Sequence, residues 1–272
     1  MNRVLLYVKD SPSARETAQE LASFLKSLGK QVEIYINRRD SKEKPKKADL
    51  VVVVGGDGTF LSAARSMARY SIPIVGINEG RFGFLTEVGK QEYKEVLIGI
   101  FEGRLVPQRR KMLAAYMIRR DKRKLIGYCL NDAVVSKGTI ARMVELDVYA
   151  EDDYMLRLYG DGLIVSTPTG STAYALSAGG PIVYPLSEVI LLVPICPHTL
   201  SNRPLVIPSH FSVRVVCLSP KRMAYLTLDG QRVLALQKYD VVEIKNAPYE
   251  CLMYTSPHRG YFEILKEKLR WG

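Results

Sequence analysis

The chain has 272 residues, 47% apolar and 25% charged, a globular composition with enough apolar material for two cores. Its formal net charge of +11 suits anionic partners: phosphorylated metabolites, nucleic acid or acidic membranes. No apolar run approaches the ~20 residues of a membrane span, and the short run at residues 4–8 is too brief for a secretory leader.

Taken in order, residues 4–8 read as a strand. Ser11 or Ser13 caps a helix that runs to Leu28 and stops at Gly29. Residues 32–36 form a second strand, and 50–54 are a continuous β-branched run typical of a strand buried on both faces of a parallel sheet. A helix over 59–70, a strand over 73–77 and a helix over 91–102 follow. This alternation predicts a doubly wound α/β domain with a parallel sheet over residues 1–104.

After Arg104 the pattern changes. Short β-rich runs occupy 112–119, 125–136, 143–149, 163–167, 211–218, 224–228, 241–244 and 251–254, punctuated by Gly, Pro, Asn and Asp. They predict a mostly antiparallel β domain over 105–256. Residues 259–269 read as a helix, and 257–272 are expected to pack back on the first domain. Two basic stretches, 38–47 and 104–124, read as solvated loop and turn charge, because a nucleic-acid surface would interleave aromatics with the cations. Cys129, Cys196, Cys217 and Cys251 form no C-x-x-C pair, so reduced thiols in a cytoplasmic protein are expected. His198, His210 and His258 are not spaced for a metal site, and no protein side chain is expected to ligate a metal.

The strongest local signal is Gly55-Gly56-Asp57-Gly58-Thr59, directly after the buried run and opening a helix. The glycines allow a tight turn and close approach to a ligand, and helix-start amides favour phosphate. In an open α/β sheet, ligands sit beyond the carboxyl ends of the strands. Neither the G-x-x-x-x-G-K-[ST] loop nor the G-x-G-x-x-G fingerprint matches here. Asp57 inside such a loop either accepts a proton or holds magnesium, or it merely shapes the turn. The second signal is Gly160-Asp161-Gly162, followed by the run Ser166-Thr167-Pro168-Thr169-Gly170-Ser171-Thr172-Ala173-Tyr174 and by Ser177-Ala178-Gly179-Gly180-Pro181. So many hydroxyls and glycines after a strand suit a surface that hydrogen-bonds a polar ligand. The pair Asn131-Asp132 interrupts an apolar run, and taken alone it reads as a bulge or turn.

Together these segments resemble the NAD kinase family. The likeness rests on GGDGT at 55–59, Asn131-Asp132, GDGLIVSTPTGSTAYALSAGGPI at 160–182, PHTLSNRPLV at 197–206, Asp229-Gly230-Gln231, and the loop at 76–86. GGDGT is shared with lipid kinases and phosphofructokinases; the 160–182 block is specific. The resemblance implies phosphoryl transfer from ATP, another triphosphate or polyphosphate to the 2'-hydroxyl of the adenosine ribose of NAD, giving NADP. It implies Asp57 as the proton acceptor, with Gly55, Gly56, Gly58 and Thr59 holding donor phosphates bridged by Mg2+ or Mn2+. Gly58 would also lie against NAD, with Asp57, Asn131, Asp132, Arg142, Asp161, Thr172, Ala173, Tyr174, Ser177 and Gln231. A homodimer or homotetramer is implied, with no nucleic-acid or membrane partner. Two positions depart from the pattern: Tyr159 stands where many relatives carry arginine, which bears on the choice between NAD and NADH, and Asp132 replaces a frequent glutamate. The competing readings are a kinase for diacylglycerol or sphingoid lipids, a non-catalytic dinucleotide sensor, and a nucleic-acid binder.

Overall fold

The computed structural model describes residues 1–38, 48–80, 82–138, 142–199, 201–220 and 223–271. Beyond Arg38, the first basic stretch lies outside the described residues. The chain opens with β1 (Arg3–Lys9), α1 (Pro12–Ser27), β2 (Gln31–Asn37), β3 (Leu50–Val54), α2 (Asp57–Met67), β4 (Ile74–Ile77), α3 (Tyr93–Phe101) and β5 (Gln108–Arg110). It continues through β6 (Leu113–Arg119), β7 (Lys122–Cys129), β8 (Asp132–Lys137), β9 (Val144–Ala150), β10 (Asp153–Gly160) and β11 (Gly162–Ser166). Then come α4 (Tyr174–Ser177), β12 (Val189–Ile195), β13 (Leu205–Pro208), β14 (Val213–Cys217), β15 (Ala224–Leu228), β16 (Arg232–Ala235) and β17 (Val241–Asn246). It closes with β18 (Cys251–Tyr254) and α5 (Tyr261–Leu269).

Two compact units result, Met1–Arg109 with Cys251–Gly272, and Arg110–Glu250. The first carries a six-stranded sheet in the order β2-β1-β3-β4-β18-β5. The pairs β1–β2, β1–β3, β3–β4 and β4–β18 are parallel, so the α/β expectation holds. Every residue of β3 is fully buried, and each aliphatic side chain so buried contributes about 1.5–3 kcal/mol. α1 buries Ala14, Ala18, Leu21 and Leu25 at helical spacing, and Ser11 caps it by accepting the Ala14 amide at 3.3 Å. These contacts make a rigid base for the loops after β3 and β4.

The second unit pairs two six-stranded antiparallel sheets, β10-β9-β14-β17-β6-β7 and β13-β12-β11-β8-β15-β16. Their facing sides share one core that includes Leu113, Val135, Leu146, Val165, Leu192, Val215, Leu226 and Val242. The other side of the second sheet is covered around Ala175 of α4, which packs with Ile164, Leu191 and Val193. That cover explains why β8 and β11 are buried nearly throughout, against the alternation seen in β14 and β15.

The structure departs from the sequence reading in several places. Residues 251–254, expected with the antiparallel strands, instead pair with β4 in parallel, Met253 opposite Ile74 and Tyr254 opposite Val75. A short apolar run carries no mark of which sheet it joins. The single run at 125–136 is two strands, β7 and β8, broken at Leu130-Asn131. The expected runs also leave out β12, whose residues are almost all buried and which keeps its strand despite Pro194.

Candidate functional site

One candidate region, in the α/β unit, lies beyond the carboxyl end of β3. Gly55 has φ +149°, and a Cβ there would meet Thr59 Oγ1 at 2.8 Å. α2 begins at Asp57 rather than Thr59, with Gly56 in extended geometry as its N-cap and no side chain bonded to the helix start. Gly56 and Gly58 are exposed. An open helix start lined by glycine is suited to an anion. Asp57 is the acid of this loop, half-buried, and its carboxylate is fully oriented. Oδ2 accepts the Phe84 amide at 2.9 Å; Oδ1 accepts the amides of Leu85 and Thr86 and the Thr86 hydroxyl, each at 3.1 Å.

The donors belong to the loop after β4, which the same unit builds. Asn78 fixes that loop from inside: its Nδ2 donates to the carbonyls of Thr86 and Val88, and its Oδ1 accepts the Gly80 amide. Gly83 lies against the acid so closely that a Cβ would fall 1.8 Å from Asp57 Oδ1. On its far side the loop lines a cavity of about 490 Å³ with Lys90 and Arg259, whose guanidinium stacks 3.6 Å from the Phe82 ring centroid. The sequence reading marked Asp57 but not Thr86 or Gly83 as its partners.

The β unit carries a candidate region of its own, a cavity of about 280 Å³ lined by Asn131, Asp132, Ala173, Tyr174, Asp229 and Gly230 among others. Whole small-molecule pockets run about 300–1,000 Å³, so this one fits part of a larger ligand. Four of the residues expected to touch a dinucleotide therefore meet here. Asp229 organises them: its carboxylate accepts the amides of Leu130 at 3.2 Å, Asn131 at 2.8 Å and Asp132 at 3.3 Å. Asp229 and Gly230 have φ of 49° and 64° and, with Gln231, form the three-residue connection between β15 and β16. An Asp-Gly pair between β runs is a hairpin signal, so β16 was within reach of the sequence. Asp132 is buried with its carboxyl pushed up to about 7, first by burial and second by the negative charge of Asp229.

The hydroxyl-rich run splits in two. Ser166, Thr167 and Ser171 are buried and serve the backbone: Ser166 Oγ donates to the Asn131 carbonyl at 3.1 Å, Thr167 Oγ1 to the Leu130 carbonyl at 2.6 Å, and Ser171 Oγ to the Pro168 carbonyl at 2.7 Å. Gly170 is required by contact, since a Cβ would lie 2.2 Å from the Asn131 carbonyl oxygen. Thr172, Ala173, Tyr174 and Ser177 emerge at the surface. Of the remaining expected residues, Asp161 pairs with Lys137 at 2.8 Å, while Arg142 and Gln231 are exposed and line neither cavity. Tyr159 is exposed and meets the His198 ring edge-on at 6.0 Å.

Comparison with known proteins bears on both units. Residues 6–105 match the family model for the ATP-NAD kinase N-terminal domain, and 130–256 that for the ATP-NAD kinase C-terminal domain. The NAD kinase of Aquifex aeolicus is 52% identical over 274 residues, covering all of both chains. That of Trichlorobacter lovleyi is 41% identical, covering all of this chain and 99% of its own. An NAD kinase from Archaeoglobus fulgidus, solved in complex with ATP, superposes with a TM-score of 0.81 at 26% identity over 99% of both chains. Yeast NADH kinase, solved with NADH, shares the fold with a TM-score of 0.88 at 24% identity, covering 100% of this chain and 88% of the yeast chain.

Proposed function

The chain belongs to the NAD kinase family and is an ATP-dependent phosphotransferase, and from that premise we propose how its own residues act. The acceptor is the 2'-hydroxyl of the adenosine ribose of NAD, and Asp57 takes its proton as the oxygen attacks the terminal phosphorus of the donor. The observation that carries this is the Asp57 carboxylate itself: it lies in a glycine turn at an open helix start, its orientation set by four hydrogen bonds. Phosphoryl transfer asks the protein for positioning and charge neutralisation more than for covalent help. Gly55, Gly56, Gly58 and Thr59 are assigned to the donor phosphates, Gly55 giving the turn its close approach and Thr59 holding its shape through an amide donated to the Gly56 carbonyl at 2.9 Å. Asn131, Asp132, Ala173 and Tyr174 take a polar portion of the dinucleotide, flanked by Thr172 and Ser177; Asp161, Arg142 and Gln231 are assigned to its outer contacts.

Mg2+ or Mn2+, when bound, neutralises the donor phosphates. The cation would be held by the donor phosphates, with Asp57 left to accept the proton. Polyphosphate as an alternative donor, a cytoplasmic location and a homo-oligomeric state belong to the same reading; the four cysteines are free thiols, in keeping with a reducing compartment.

The test is NADP formation from NAD, ATP and magnesium, read with an NADP-specific dehydrogenase. Wild type is expected to form NADP, and Asp57→Asn to bind NAD with turnover reduced at least 100-fold, on the order of a lost general base. A folded Asp57→Asn with near-normal turnover removes Asp57 from this role.

A further inference from the structure

We propose that Thr86 is a positioning residue for Asp57, and that the loop from Gly83 to Thr86 selects which carboxylate oxygen receives the ribose proton. The proposal rests on the reading of Asp57 as proton acceptor and adds a geometric constraint to it. Oδ1 accepts three hydrogen bonds, from the Leu85 amide, the Thr86 amide and the Thr86 hydroxyl. An sp² oxygen offers two lone pairs, so Oδ1 is saturated. Among the described residues Oδ2 accepts the Phe84 amide alone, which leaves it one lone pair. The proton therefore goes to Oδ2: the ribose O–H bond breaks, its oxygen forms the bond to phosphorus, the donor's bridging oxygen leaves with the electron pair, and the proton forms a bond to Oδ2.

The clamp is built rather than incidental. Thr86 is fully buried, so its hydroxyl has no water to turn to. Gly83 closes the other side, where a Cβ would fall 1.8 Å from Oδ1. Asn78 pins the loop from within by bonding the Thr86 carbonyl at 3.2 Å.

Thr86→Val removes the hydroxyl at nearly constant volume, and Thr86→Ser keeps it. Thr86→Val is expected to lower kcat about tenfold with KM for NAD changed less than about twofold, and Thr86→Ser to restore kcat to within about threefold of wild type. Gly83→Ala displaces the carboxylate while leaving every donor in place, and is expected to lower kcat by roughly 100-fold at near-normal NAD affinity; it carries the test if Thr86→Val does not fold. Wild-type kcat in folded Thr86→Val or in folded Gly83→Ala overturns the proposal. So does a loss in Thr86→Val that Thr86→Ser shares equally, because that marks packing rather than the hydroxyl. If Asp57→Asn is inactive while Thr86→Val is normal, only the positioning role fails; if Asp57→Asn is active, the reading of Asp57 fails with it.

Discussion

Replacing Asp132 by Asn should make the protein's stability less dependent on pH, and the size of the change follows from the buried pair. Asp132 is 4% exposed and Asp229 is 7% exposed. Burial, and then the charge of Asp229, push the Asp132 carboxyl up to about 7, above its value in the unfolded chain. A folded-state value above the unfolded one means that the native protein holds the proton more tightly. The associated stability is fully present below about pH 4, is lost as pH rises through about 7, and is constant beyond about pH 8. The limiting slope for one proton is about 1.4 kcal/mol per pH unit, so a shift of about three units has a ceiling near 4 kcal/mol. Roughly 2–3 kcal/mol of it falls between pH 5 and pH 8. Asn has the shape of the protonated acid and does not ionise. Urea denaturation of wild type and Asp132→Asn at four pH values from 5 to 8 isolates this one group, because distant titrations cancel in the difference. The gap, variant minus wild type, should widen toward high pH by roughly 2–3 kcal/mol. A gap that is flat, or that narrows as pH rises, refutes the argument that Asp132 is held against ionisation.

Three further outcomes follow from the same unit. Asp229→Ala takes the acceptor from the amides of Leu130, Asn131 and Asp132; buried orphans cost about 1–3 kcal/mol each, so a loss of at least about 3 kcal/mol is expected in urea melts, and a loss below about 1 kcal/mol would show the amides finding water. Gly170→Ala places a methyl 2.2 Å from the Asn131 carbonyl oxygen; it should cost about 1–3 kcal/mol in stability and weaken NAD binding by calorimetry, and unchanged NAD affinity would separate Asn131 from the dinucleotide. Lys137→Met breaks the 2.8 Å pair with Asp161, whose partners are 32% and 29% exposed; its effect on stability should stay below about 1 kcal/mol, and a larger loss would contradict a solvent-screened pair.

What the sequence discloses about this site depends on the kind of atom that does the work. Residues chosen for side-chain or backbone peculiarity leave a mark in the sequence: the glycines around Asp57, the break at Asn131-Asp132 and the hairpin turn at Asp229-Gly230 all stand out from apolar periodicity. Both sheets were legible as classes because a run with no alternation, 50–54, differs from alternating runs such as 224–228. The hydroxyls of 166–171 were visible but their direction was not: a serine that satisfies a buried carbonyl and one that faces a ligand are the same letter. The clamp on Asp57 was least visible, since three of its four donors are the main-chain amides of Phe84, Leu85 and Thr86, which every non-proline residue possesses. What betrays such a donor is the residue that must be absent beside it. Gly83 is needed because a Cβ would occupy the place of Asp57 Oδ1, so two distant glycine-bearing segments, 55–58 and 83, describe one carboxylate from opposite sides. Glycine in a loop is then informative in proportion to what its missing Cβ would strike, and at Gly83 that is the acid itself.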